Sequence, residues 1–97
     1  MVGACSIVML PSLAAQERWR TFDVESGRGR ESLEETGFKE LDIARMAQLA
    51  GDVAAGRGDA SRARDAYAIA LAQFEGLQRN DGVEEVTRAL EGLAGLA

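Results

Sequence analysis

The sequence predicts an all-α fold, an antiparallel array of helical hairpins, and three observations predict it. Apolar residues recur at steps of three and four through Ile43, Met46, Ala47, Ala50, Val53 and Ala54. They recur again through Ala63, Ala66, Tyr67, Ala70, Phe74 and Leu77, and through Val83, Val86, Leu90, Leu93 and Ala94. That spacing gathers side chains on one side of a helix. Gly56-Arg57-Gly58-Asp59 separates the first two stripes; glycine accepts the positive φ that ends helices, and aspartate caps the helix that follows. The facing residues are also small: Ala47, Ala50, Gly51 and Ala54 on one side, Ala63, Ala66 and Ala70 on the other. Two such stripes on a short connection bury themselves by folding back on each other, with Tyr67 and Phe74 filling the gaps.

The elements follow in order. Residues 1–15 are the one apolar run, too short and too interrupted by Pro11 to span a membrane. The run reads as a short, loosely docked helix or a frayed tail. Ser6 to Leu13 also has the apolar character of a secretory signal, with Ser12-Leu13-Ala14 as a cleavage-like site, and Cys5 stands in a lipoprotein-like context; the positive leader of the one and the preceding apolar segment of the other are missing. Gln16 to Val24 reads as helical, with Ala15, Trp19 and Phe22 on one face as a cap over the first hairpin helix or as an aromatic anchor for a partner. Ser26-Gly27-Arg28-Gly29-Arg30 reads as a loop, without the apolar strand or Gly-Lys-Ser/Thr of a phosphate-binding loop. Ser32 to Glu35 fits a capping box, and Thr36-Gly37 makes 31–36 either an isolated turn or the end of a preceding helix. Helices are then expected from Phe38 to Ala55, from Asp59 to Arg79, and, after an Asn80-Asp81-Gly82 corner with Asp81 as a cap, to the end of the chain. Residues 1–30 are thus expected as an N-terminal segment, partly helical or flexible, and 31–97 as the helical domain.

Gly51, Ala63, Tyr67 and Ala70 follow the small–small–aromatic–small order of a tetratricopeptide unit, which this hairpin resembles. Ala47, Ala50 and Ala54 depart from it, standing where the family prefers Trp, Leu and Tyr, and no proline closes the unit. A weak repeat joins Leu49-Ala50-Gly51 to Leu93-Ala94-Gly95, 93 − 49 = 44 residues on. That period suits longer helices and is similar to the repeats in the sensor regions of large bacterial ATP-binding transcription regulators. Carried back by the same offset, it puts Trp19, Asp23 and Ser26 in place of Ala63, Tyr67 and Ala70, so the N-terminal third is not expected to be a repeat.

Composition narrows the function. The 97 residues carry a formal charge of −5: residues 1–30 hold four arginines against three acids, and the rest seven bases against thirteen acids. An acidic array repels phosphate backbones, so no nucleic acid is expected as a partner, and no membrane. The chain has no histidine and one cysteine. That removes imidazole bases, His-based triads, most transition-metal sites and any internal disulfide. Glu34-Glu35 and Glu84-Glu85 are neighbours on a helix rather than carboxylates facing across a cleft. Asp81-Gly82 lacks the alternating acids of a calcium loop. Tyr67 has core spacing, and turn chemistry accounts for Arg57-Gly58-Asp59 without an adhesion role. No catalytic residue, metal or cofactor is expected.

What remains is binding. The resemblance implies a cytoplasmic protein- or peptide-binding module in which the first helix of the hairpin lines the groove, with Arg45, Gln48 and Asp52 as its outward positions. Two alternatives stand beside it. One is a fragment or stand-alone relative of a regulator's sensor or oligomerisation region. The other is a self-associating helical protein paired through Leu90, Leu93 and Leu96.

Overall fold

The computed structural model describes the backbone of residues 2–93 and the side chains of residues 6–93. Within them the chain is all-α: α1 Val2–Ala15, α2 Trp19–Thr36, α3 Leu41–Gly56, α4 Ala60–Gly76 and α5 Asn80–Leu93. The central hairpin is α3 and α4. Ala44, Ala47, Ala50, Ala54, Ala63, Ala66 and Ala70 have no exposed surface, and Tyr67 is 3% exposed. Gly51 lies directly under the Tyr67 ring, where a Cβ would come within 2.5 Å of Cδ1 and Cε1. Asp59 caps α4: its Oδ1 accepts the Arg62 backbone N–H at 3.0 Å.

In the N-terminal third one expectation is corrected and another is narrowed to the helical alternative. Residues 26–30 are not a loop; α2 runs through both glycines. Glycine costs a helix interior roughly 1 kcal/mol relative to alanine, but Phe22, Ser26, Gly29 and Leu33 fall at helical spacing and form the buried side of α2. Tertiary packing therefore outweighs local propensity, and the boundary drawn at residue 30 falls inside a helix. Residues 2–15 are a docked helix that carries Pro11 internally. Ile7 and Leu10 are fully buried and Leu13 is 5% exposed, in the same core as the central hairpin.

Smaller differences lie at helix ends. Residues 31–36 are the last turns of α2. The next helix starts at Leu41 rather than Phe38, because Gln73 holds the connection: its side chain accepts from the Glu40 N–H and donates to the Phe38 carbonyl, both at 2.9 Å. α4 stops at Gly76, and Leu77-Gln78-Arg79 makes the corner. Asp81 is the second residue of α5 rather than the residue before it.

Three corners share one geometry. Glu17, Gly58 and Gln78 are each left-handed, with φ of 54°, 80° and 57°. After each, the next N–H reaches back to a carbonyl five residues earlier: Arg18 to Leu13, Asp59 to Ala54, Arg79 to Phe74. Such a closure satisfies the last carbonyls of a helix. Arg57 ties the first two corners together, donating to the Ala15 carbonyl at 2.7 Å and lying 3.8 Å from the Glu17 carboxylate.

α1–α2 and α3–α4 are therefore two hairpins side by side with their corners at one end. α1 packs on α2 and α3, α3 on α4, and α4 on α5, whereas α2 and α4 touch only lightly. The corners are 58 − 17 = 41 residues apart. At that offset the buried Phe22, Ser26, Gly29 and Leu33 of α2 correspond to Ala63, Tyr67, Ala70 and Phe74 of α4, all buried. The N-terminal third is thus a hairpin equivalent in layout to the second, at an offset of 41 rather than 44.

Candidate partner groove between the second and fourth helices

The light contact between α2 and α4 leaves a groove. It is lined by residues at helical spacing on both walls: Asp23, Ser26, Gly27, Arg30, Leu33 and Glu34 from α2, and Ser61, Arg62, Asp65, Ala68, Ile69, Ala72 and Gln73 from α4. Small residues hold it open, since Gly27, Ser61, Ala68 and Ala72 place little volume between the helices. Two cavities lie along it and share Arg30: a polar one of about 380 Å³ toward the corners, and one of about 240 Å³ toward the 37–40 connection, floored by Leu33 and Ile69 and edged by Lys39. Leu33 and Ile69 are each 4% exposed, so this floor is part of the core.

Both ends of the groove are fastened. At the corner end Arg62 reaches from α4 to α2, donating through Nε and Nη2 to the two Asp23 oxygens at 2.8 Å and through Nη1 to Asp59 at 2.8 Å. Its guanidinium carbon stands 5.2 Å from the centroid of the Trp19 ring, which meets Phe22 edge-on. Hydrogen bonding to Arg62 holds the Asp23 carboxyl below its ordinary value, and the two aspartates raise the Arg62 guanidinium above its own. At the other end, Gln73 pins the connection and the Lys39 stem lies over Gly76.

The residues singled out from the sequence lie elsewhere. Arg45, Gln48 and Asp52 sit together on α3, outside the groove, with Arg45 and Asp52 exposed and Gln48 half-buried. Asp52 has a structural task, accepting a hydrogen bond from the Tyr67 hydroxyl. Burial and then that bond push the Tyr67 phenol well above its ordinary value, so it stays neutral. Leu93 is 2% exposed and Leu90 half-buried, both turned toward the core, and Leu96 lies outside the described residues. Arg57 and Asp59 of the adhesion-like tripeptide are engaged in the corner. Glu34, Glu35, Glu84 and Glu85 are exposed.

Reading 26–30 as a loop hid the groove, because half of its wall is α2. A signal was present: Ser61, Asp65, Ala68 and Ala72 make a second stripe on α4, small and polar, beside the buried one. Among the described residues no three His, Cys, Asp or Glu side chains come together as a metal site, and no helix is long and apolar enough to cross a membrane. Comparison with protein-family models, with curated proteins and with solved structures returned no match.

Proposed function

We propose that this chain is a non-catalytic interaction module that takes a segment of a partner protein in the groove between α2 and α4. The observation that carries the reading is the pair of cavities running end to end along the loosely closed pair of α2 and α4. The apolar cavity, at about 240 Å³, is below the roughly 300–1,000 Å³ of small-molecule sites and suits an inserted side chain. The larger cavity is charged and open, without the apolar floor that encloses a cofactor. We infer further that the paired hairpins are of tetratricopeptide type; the shared corners and the buried positions 41 residues apart support this.

Selection of displayed peptides on the immobilised chain tests the reading. Ala72 is exposed and lines the apolar cavity, so Ala72→Trp fills the groove without entering the core. Selected peptides should lose at least about tenfold in affinity for that variant, the weight of one buried apolar anchor. Peptides that bind Ala72→Trp as well as wild type, but lose binding to an Arg45→Ala, Gln48→Ala, Asp52→Ala variant, would move the site to α3 and overturn the groove reading.

A further inference from the structure

The groove has a charge direction, and with its shape this points to one kind of occupant. We propose that it receives an amphipathic helix lying antiparallel to α2 and α4, with an acidic residue seven positions before an aliphatic anchor and a basic residue four positions after it. This rests on the groove being the binding site.

The helical form follows from hydrogen bonding. An extended segment needs backbone partners, whereas both walls here are helices whose own N–H and C=O groups are paired within them. Gln73, the amide on the floor, is already used at both ends. A helix satisfies its own backbone and asks only for side-chain contacts, and helices lying on helices pack ridge into groove.

The charges follow from which groups are already engaged. At the corner end Arg62 is shared between Asp23 and Asp59, which leaves one net negative charge there. Among the described residues Arg30 has only a loose, exposed partner in Glu34, at 3.6 Å. Asp65 and Lys39 form no ion pair among the described residues. The two lie on opposite sides of the apolar cavity: Asp65 four residues before Ile69 on α4, and Lys39 with its stem on Gly76, seven residues after it. At 1.5 Å per residue these offsets are about 6 Å and about 10 Å along the groove. A docked helix with an aliphatic side chain over Leu33 and Ile69 therefore meets Asp65 about one turn away and Lys39 about two turns away on the other side.

Orientation is set by the helix dipole. Acids are favoured near a helix N-terminus and bases near its C-terminus. Placing the acid against Lys39 and the base against Asp65 puts the partner's N-terminus at the C-terminal end of α4. That makes it antiparallel to both walls, so its dipole opposes theirs favourably.

The test uses synthetic alanine-rich helical peptides and fluorescence anisotropy at low ionic strength, where such charges are least screened. One peptide carries Glu, Leu and Lys at positions i−7, i and i+4; a second exchanges the Glu and Lys; a third replaces Leu by Ala. The first should bind about tenfold more tightly than either control, since the exchange turns two attractions into repulsions and the truncation removes one anchor. A Lys39→Glu, Asp65→Lys variant should reverse the preference between the first two. Equal affinity for both charge orders, no reversal, or no binding by any peptide at millimolar concentration would overturn the proposal. Displayed peptides blocked by Ala72→Trp but lacking the acid–aliphatic–base order would overturn it too, and would leave the groove as the binding site.

Discussion

Replacing Gly51 by alanine puts a methyl group where the Tyr67 ring already is. The new Cβ would lie 2.5 Å from Cδ1 and Cε1 and 2.9 Å from Cζ. The ring cannot easily move aside, being 3% exposed and held by its hydroxyl on Asp52, one residue from the substitution. Overpacking of this kind costs about 1–3 kcal/mol, and the contact with three ring atoms argues for the upper part of that range. Alanine's better helix propensity returns about 1 kcal/mol, leaving a net loss of about 2 kcal/mol. For a chain of this size that is a fall in Tm of about 10 °C. Gly27→Ala is the internal control. It is also a mid-helix glycine, but nothing lies within 4 Å of its Cβ position, so the propensity term stands alone and Tm should rise by about 5 °C. Thermal and urea unfolding followed by circular dichroism at 222 nm reads both. Adding Tyr67→Leu to Gly51→Ala should reduce the cost of the alanine, since the ring it meets is gone. A Gly51→Ala protein as stable as wild type would refute the close helix approach on which the central hairpin depends.

Other expectations follow from single contacts. Gln73→Leu strands the Phe38 carbonyl and the Glu40 N–H and should cost about 2–4 kcal/mol in urea unfolding; a loss near zero would mean the connection is not held there. Gln78→Gly relieves a left-handed residue with φ 57° and should stabilise by about 1 kcal/mol, read as a raised urea midpoint. The Tyr67 phenol titrates higher in the folded chain than its ordinary 10.0, so its contribution is complete below about pH 10 and is lost as pH rises from there toward the folded value. Melting scans above pH 10 should show this fall, and Tyr67→Phe should lessen it. Asp23 behaves oppositely: its folded carboxyl is held low by Arg62, so its contribution is present above about pH 4 and is lost as pH drops below. Arg62→Gln should flatten that acid limb in stability measured between pH 5 and pH 2.

The central hairpin is legible because every local signal there agrees. The stripes, the Gly58 corner and the Asp59 cap all describe helices that fold back, and small residues sit where the helices meet. α2 is not legible in the same way. Ser26-Gly27-Arg28-Gly29-Arg30 has the composition of a loop, and the reason it is helical lies in α1, whose apolar face the Phe22–Leu33 stripe covers. The Glu17 corner is hidden as well, and the third corner is displaced in the sequence reading to Asn80-Asp81-Gly82, since Glu17 and Gln78 adopt the left-handed conformation without being glycine.

The offset of 41 is hidden for a different physical reason. Looking for like residues finds Leu-Ala-Gly at 44, but packing does not require like residues at equivalent places. In the second hairpin Gly51 lies beneath Tyr67; the counterparts in the first are Leu10 and Ser26, both buried. The first hairpin thus has its large residue on the first helix and its small one on the second, the reverse of Gly51 and Tyr67, and close packing constrains combined volume more than which helix supplies it. Compared one position at a time, Leu10 with Gly51 and Ser26 with Tyr67 are two mismatches; taken together, each hairpin holds one large and one small buried residue at these places. Only the corner geometry, which depends on the backbone, exposes the correspondence.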